Sequence, residues 1–338
     1  MLEHGGRLRE AATRFGIPLA DWLDLSTGIA PAPYPVPPLP AHCWHRLPED
    51  DDGLEAAAAA YYGSTELLPV AGSQAAIQAL PAVLPGRRIS LLAPAYAEHA
   101  HAWRARAPRL CAADALDAAV AQSDIVVLVN PNNPTGAAFS RTQLLDWHAR
   151  LAARGGWLVV DEAFIDADPV ATLVARAGTP GRVVLRSLGK FFGLAGARVG
   201  FVFAPAALRR RLAEQLGPWP LGGPAREAAR IALADRAWQA AQRTRLRTDG
   251  ARLARLLAEA GLGPAAGPAL FKWVADPRAA HLYTALARRG VLVRLFDSPA
   301  SLRFGLPPDE AGWRRLADAL AAALAESTPT RPTFGNLA

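Results

Sequence analysis

Between residues 54 and 204 the chain repeats one pattern: a short, predominantly apolar run, a turn rich in Gly, Pro or Asn, and an alanine- or leucine-rich stretch. The apolar runs are Leu67 to Val70, Ile89 to Ala93, Ile125 to Val129, Trp157 to Val160, Val183 to Leu185 and Val199 to Phe203. Helical stretches are expected between them near 74–83, 97–106, 114–121 and 140–154. A strand with no polar side needs cover on both faces. Its alternation with helices therefore predicts an α/β fold, a mostly parallel sheet sandwiched by helices. Sheets of this kind bind ligands beyond the carboxyl ends of their strands, and the polar motifs of this chain fall at those ends.

The pattern changes after Pro220-Leu221-Gly222-Gly223-Pro224. A long helical region runs to about Ala260, strands are expected near 270–275, 291–295 and 301–304, and helices near 278–289 and 309–325. This reads as a smaller C-terminal α/β domain. The expected division is an N-terminal arm and linker (1–47), extended through Pro31 to Pro40, then a large domain (48–220), the small domain (221–325) and a loose tail (326–338).

At 338 residues and 51% hydrophobic content, a compact enzyme fits better than a disordered or fibrous chain. Apolar runs are too short to span a membrane and the first residues lack a signal-peptide core, so a cytoplasmic protein is expected. Cys43 and Cys111 read as reduced structural thiols. His99 and His101 have no matching acidic or thiol ligands, so they read as an ordinary surface helix and no metal is expected. The formal charge is +7, but the arginines lie along helical segments such as Arg243-Thr244-Arg245-Leu246-Arg247, as solvated faces would. Nucleic-acid binding is therefore not expected. A cofactor-binding DNA regulator would also need a helix-turn-helix before the core, and the segment before Leu54 is too Pro-rich for one.

Of the 37 Lys and Arg residues only Lys190 and Lys272 are lysines. Where arginine has replaced nearly every lysine, the remaining ones point to a task that a permanently protonated guanidinium cannot perform, above all addition to an aldehyde. Lys190 lies in Ser187-Leu188-Gly189-Lys190, just past an apolar run. Lys272, in Leu270-Phe271-Lys272-Trp273-Val274, has no such company and reads as a strand residue with its amine in solvent.

The other strand ends carry complementary groups. Gly72, Ser73 and Gln74 open a helix whose N–H groups and dipole suit a phosphate, although Ser73 alone is equally a plain N-cap. Tyr96 offers an aromatic face to a flat ring, or a half-buried tyrosine. Asn130-Pro131-Asn132-Asn133-Pro134-Thr135-Gly136 aims amides at fixed partners. Asp161, opening Asp161-Glu162-Ala163-Phe164, is a carboxylate at a buried strand end, costly unless it meets a cation or strong donors. A protonated pyridine nitrogen is such a partner, and Ser187 and Arg198 can reach a phosphate while Lys190 holds an aldehyde carbon.

Together, Asn-Pro-x-Asn-Pro-Thr-Gly, Asp-Glu-Ala-Phe and Ser-Leu-Gly-Lys with the trailing Gly196-Ala197-Arg198 resemble the fold-type I pyridoxal-phosphate enzymes, in the branch that contains histidinol-phosphate aminotransferase. The resemblance covers roughly residues 20–325. It implies pyridoxal 5'-phosphate as cofactor, Lys190 as its covalent anchor, Asp161 on the pyridine nitrogen, Asn133 on the phenolic oxygen and Tyr96 stacked on the ring. Gly72, Ser73, Gln74, Ser187 and Arg198 would surround the phosphate. Arg303, in Ser301-Leu302-Arg303-Phe304-Gly305, would grip the substrate carboxylate, a task suited to a bidentate fork. Two positions depart from the pattern. Phe164 stands beside the ring where many relatives have a tyrosine, and Leu47 stands where relatives often have a tyrosine that reaches the neighbouring subunit's cofactor. A homodimer is still implied.

The N-terminal arm narrows the reaction. His4-Gly5-Gly6, followed by Trp22-Leu23-Asp24-Leu25-Ser26-Thr27-Gly28, resembles the threonine-phosphate decarboxylases of cobalamin biosynthesis. In that reading His4, Ser26, Thr27 and Gly28 help hold the carboxylate or phosphate of O-phospho-L-threonine, and the product is (R)-1-amino-2-propanol O-phosphate. The alternative is an aminotransferase acting on histidinol phosphate or an aromatic amino acid, which the cofactor motifs do not separate from a decarboxylase.

Overall fold

The computed structural model describes residues 4–175 and 178–327. From residue 328 onward the expected tail lies outside the described residues. In chain order the strands are β1 (Leu23–Asp24), β2 (Leu67–Ala71), β3 (Ile89–Leu92), β4 (Arg109–Cys111), β5 (Ile125–Val129), β6 (Trp157–Asp161), β7 (Arg182–Ser187), β8 (Val199–Phe203), β9 (Phe271–Ala275), β10 (Val291–Leu292), β11 (Arg294–Asp297) and β12 (Ala300–Gly305). Each expected apolar run of the large domain is a strand; β4, with two of its three residues exposed, has no apolar run to announce it.

The chain forms two compact units. The first comprises residues 29–251 and 266–270; the second takes 4–28, 252–265 and 271–327 of the described residues. The division departs from the expected one at both ends. Residues 221–251 pack with the first unit, and the arm up to Gly28 packs with the second.

The first unit is built on a seven-stranded sheet in the order β2-β8-β7-β6-β5-β3-β4. Strands β3 to β7 run parallel to their neighbours among themselves, and β3, β5, β6 and β7 are buried as covered parallel strands are, whereas β4 is the exposed edge strand. β8 runs antiparallel to both β7 and β2. A strand buried along its whole length carries no mark of its direction, so this reversal could not be read from the apolar run. Its result is geometric: β2 and β7 point the same way, and the residues that open β8 arrive at the edge where those two end. In register, Ala71 faces Val199 and Ser187 faces Gly200. Helices Gly72–Val83, Ala97–Trp103 and Ala206–Leu216 cover one side through Ile77, Leu80, Trp103, Leu208 and Leu212, packed on Val127, Val159, Val183 and Val202.

The second unit contains an antiparallel sheet in the order β11-β12-β9 and a parallel pair formed by β1 and β10. The pairing of Leu23 with Val291 and of Asp24 with Leu292 ties the arm to this unit. Lys272 departs from its expectation here: its side chain is half-buried, and burial lowers the pKa of its amine.

Candidate functional site

The residues expected to seat a phosphate lie at the edge where β2 and β7 end and β8 begins. Gly72 has φ +68°, and a Cβ there would stand 2.8 Å from Arg198 Nη2. A Cβ on Gly200 would stand 2.5 Å from the Ser73 nitrogen. Glycine is therefore needed at both positions for the helix start and the β7–β8 turn to meet. Helix Gly72–Val83 has Ala71 at its N-cap and no side-chain cap, so Ser73 lies inside the helix and is not the capping residue. Its first-turn N–H groups are the kind of donors that take an anion. Ser187 Oγ accepts from Gly189 N at 3.1 Å, which shapes the turn leading to Lys190.

The lysine loop is held from below by buried aromatics. Phe191 and Phe192 are fully buried, and Phe192 stacks on Trp238 at 5.6 Å. Gln242 Nε2 donates to the carbonyls of Phe191 and Ala32, while Ala30 N donates to Lys190 O at 3.0 Å. The Pro-rich segment therefore packs on the loop that carries the lysine: a Cβ on Gly193 would lie 2.6 Å from Pro33 Cα. Lys190 Nζ sits 5.4 Å from the centroid of Phe164, which places that ring beside the amine.

Asp161 ends β6 with 3% exposure. Its Oδ1 accepts from Ala163 N at 3.0 Å, and its Oδ2 lies 3.0 Å from His99 Nε2. His99 is thus corrected from the surface reading: it is 4% exposed, whereas His101 is exposed. A signal was available, because two helical residues two apart point about 200° away from each other, so both could not share a solvated face. Among the described residues no group of His, Cys, Asp and Glu is placed to hold a metal.

Two of the three asparagines after β5 are internal staples. Asn130 exchanges hydrogen bonds with the backbone of Phe139, and Asn132 Nδ2 donates to Pro94 O at 2.9 Å and Thr135 Oγ1 at 2.7 Å. They hold rigid the loop that presents Asn133. Asn132 also ties that loop to the turn before Tyr96, whose phenol is pushed up to about 12, chiefly by burial and then by Glu98 and Asp161.

The second unit holds the substrate candidates. Ser26 Oγ donates to Asp24 Oδ1 at 2.6 Å and accepts from Gly6 N at 2.8 Å. A hydroxyl has one proton, so that of Ser26 is committed to holding the arm. The carbonyl of Ser26 accepts from Arg303 Nη2 at 2.7 Å. Thr27 lies beside Gly6, and a Cβ on Gly305 would press against its carbonyl. The guanidinium of Arg303 is buried, and burial followed by the neighbouring Arg294 lowers its pKa to about 10, against a smaller opposing effect of Asp24. Arg294 and Arg303 are direct cross-strand partners. Like charges so placed repel each other unless an anion joins them. Arg294 has no motif around it and escaped the sequence reading. It lines a cavity of about 210 Å³ together with His4, Arg7, Arg14 and Ser26.

A glycine-only seat under Arg198, an uncapped helix start, a buried carboxylate and a lysine beside an aromatic ring fit pyridoxal 5'-phosphate. The family described as aminotransferase class I and II matches residues 47–320. The chain belongs to this family. A threonine-phosphate decarboxylase of Pseudomonas aeruginosa is 58% identical over 322 residues, covering 95% of this chain and 97% of that protein. Among solved structures, histidinol-phosphate aminotransferase from Sinorhizobium meliloti, in complex with pyridoxal-5'-phosphate, superposes with a TM-score of 0.81 at 18% identity, over 97% of this chain and 99% of that one. L-threonine-O-3-phosphate decarboxylase from Porphyromonas gingivalis does so with a TM-score of 0.75 at 20% identity, over 89% and 99%. At those identities the structures speak for the fold alone. This class I and II member is a pyridoxal 5'-phosphate enzyme of the fold expected from its strand ends.

Proposed function

We propose that this chain is a threonine-phosphate decarboxylase, releasing carbon dioxide from O-phospho-L-threonine to give (R)-1-amino-2-propanol O-phosphate for cobalamin biosynthesis. The observation that carries the reading is the 58% identity to the Pseudomonas aeruginosa decarboxylase across 95% of the chain. The opposed arginines of β11 and β12 agree with it, because the substrate brings two anionic groups.

Bound pyridoxal 5'-phosphate supplies a protonated ring that accepts the electrons of a broken Cα bond. The remaining work falls to side chains. Gly72, Ser73, Gln74, Ser187 and Arg198 would seat the phosphate, Asn133 would take the phenolic oxygen and Tyr96 would cover the ring. Asp161, oriented by His99, would keep the ring nitrogen protonated. Lys190 would anchor the cofactor, and its Nζ would be the group that returns a proton to the substrate Cα. Arg303, steadied by the Ser26 carbonyl, takes the carboxylate, while Arg294 and His4 take the substrate phosphate, with Thr27 and Gly28 shaping the backbone beside them.

Pure protein given phosphothreonine and no keto acid should release carbon dioxide, and Arg294→Ala should raise KM about tenfold or more, since a charge-assisted contact contributes roughly 1.5–3 kcal/mol. Glutamate formation from histidinol phosphate and 2-oxoglutarate, with no carbon dioxide from phosphothreonine, would establish the aminotransferase instead.

Cytoplasmic residence is supported by the two unbridged cysteines. A homodimer is supported by large apolar side chains left open in the first unit: Trp44, Leu47 and Trp219 are 68%, 63% and 56% exposed. Light scattering at micromolar concentration should give the mass of two chains; a single-chain mass rejects the dimer.

A further inference from the structure

Gln74 is held at both ends of its side-chain amide. Its Nε2 donates to Glu98 Oε2 at 2.8 Å, and its Oε1 accepts from Tyr96 Oη at 3.3 Å. Gln78 Nε2 donates to the same Glu98 oxygen at 3.2 Å. A carboxylate can only accept, so the NH2 of Gln74 must face Glu98 and its oxygen must face Tyr96. The phenol is then the donor in that contact. Its raised pKa keeps the proton in place across the neutral range.

We propose that Glu98 is a positioning residue, which sets the orientation of the Gln74 amide and through it fixes the Tyr96 ring over the cofactor. Tyr96 is the N-cap of helix Ala97–Trp103 and Glu98 stands in its first turn, while Gln74 stands in the first turn of helix Gly72–Val83. The contact therefore ties the aromatic cover to the helix that seats the phosphate. The next residue of the same turn, His99, orients Asp161. One helix start thus steadies both the face of the ring and the partner of its nitrogen. The proposal rests on the reading that Tyr96 covers the cofactor ring.

The test compares Glu98→Ala, Glu98→Gln, Tyr96→Phe and the Glu98→Ala, Tyr96→Phe double variant as holoenzymes. Two quantities are read besides turnover: the cofactor dissociation constant and the visible circular dichroism of the bound cofactor, which reports ring orientation. Glu98→Ala should weaken cofactor binding roughly three- to tenfold and diminish the dichroic band. Glu98→Gln retains an acceptor and should stay within about twofold of the parent. In the Tyr96→Phe background no hydroxyl remains, so Glu98→Ala should add nothing. An equal effect of Glu98→Ala in both backgrounds overturns the proposal, as does an unchanged Glu98→Ala protein when Tyr96→Phe alters the band. If Tyr96→Ala also leaves both quantities unmoved, Tyr96 does not cover the ring, and the underlying reading falls with the proposal.

Discussion

Lys190→Arg is expected to fold, to retain cofactor and to lose turnover by about a thousandfold or more, because in the proposed mechanism the side chain both anchors the cofactor and moves a proton, and proton transfer alone accounts for roughly 10²–10⁴. The substitution keeps the charge and nearly the length of the side chain, so the loop on Phe191 and Phe192 has no reason to rearrange. What it removes is a nucleophilic lone pair. Absorbance spectra should lack the visible band of lysine-linked cofactor, while equilibrium dialysis still finds cofactor held by the phosphate seat. Normal carbon dioxide release by this variant would remove Lys190 from the mechanism.

Asp161→Asn is expected to lower kcat by about two to three powers of ten. The carboxylate is buried, and in the proposed mechanism it holds the ring N–H of the bound cofactor. Removing one partner of a buried pair costs about 3–5 kcal/mol, and each 1.4 kcal/mol is tenfold in rate. The amide can still accept from Ala163 N, so the turn after β6 should persist. The loss should therefore appear mainly in kcat, with a smaller change in cofactor affinity, because the phosphate seat is untouched. A variant with the parent's kcat would show that the nitrogen partner lies elsewhere.

The strand ends of the large sheet were legible because their runs are mostly apolar: Asp161 directly follows Trp157 to Val160 and Gly72 follows Leu67 to Ala71, whereas Ser187 comes after Arg186 and stands out less. The second unit was less legible. Arg294 matters through its place opposite Arg303, and that register is set by a hairpin whose composition gives no such sign. The arm joins the second unit because Leu23 pairs with Val291, a contact between opposite ends of the chain that no local pattern records. His99 was hidden by His101, its exposed neighbour on an alanine-rich helix. The hydroxyl of Ser26, expected at the substrate, serves Gly6 and Asp24, a commitment visible only once the arm is folded back.

The reversed strand β8 also bears on the order in which the site can come into being during synthesis. Gly72 emerges long before Arg198, and a nascent chain that stops short of Val199 leaves both β2 and β7 without the neighbour they share. Such a chain has open strand edges, which invite pairing with other chains, and nothing to close over a phosphate. A site assembled from Gly72, Ser187 and Arg198 is complete only once β8, through Phe203, has paired with both strands. A ligand that binds only the folded chain draws the folding equilibrium toward the native state, so added cofactor should raise the thermal unfolding midpoint of the protein.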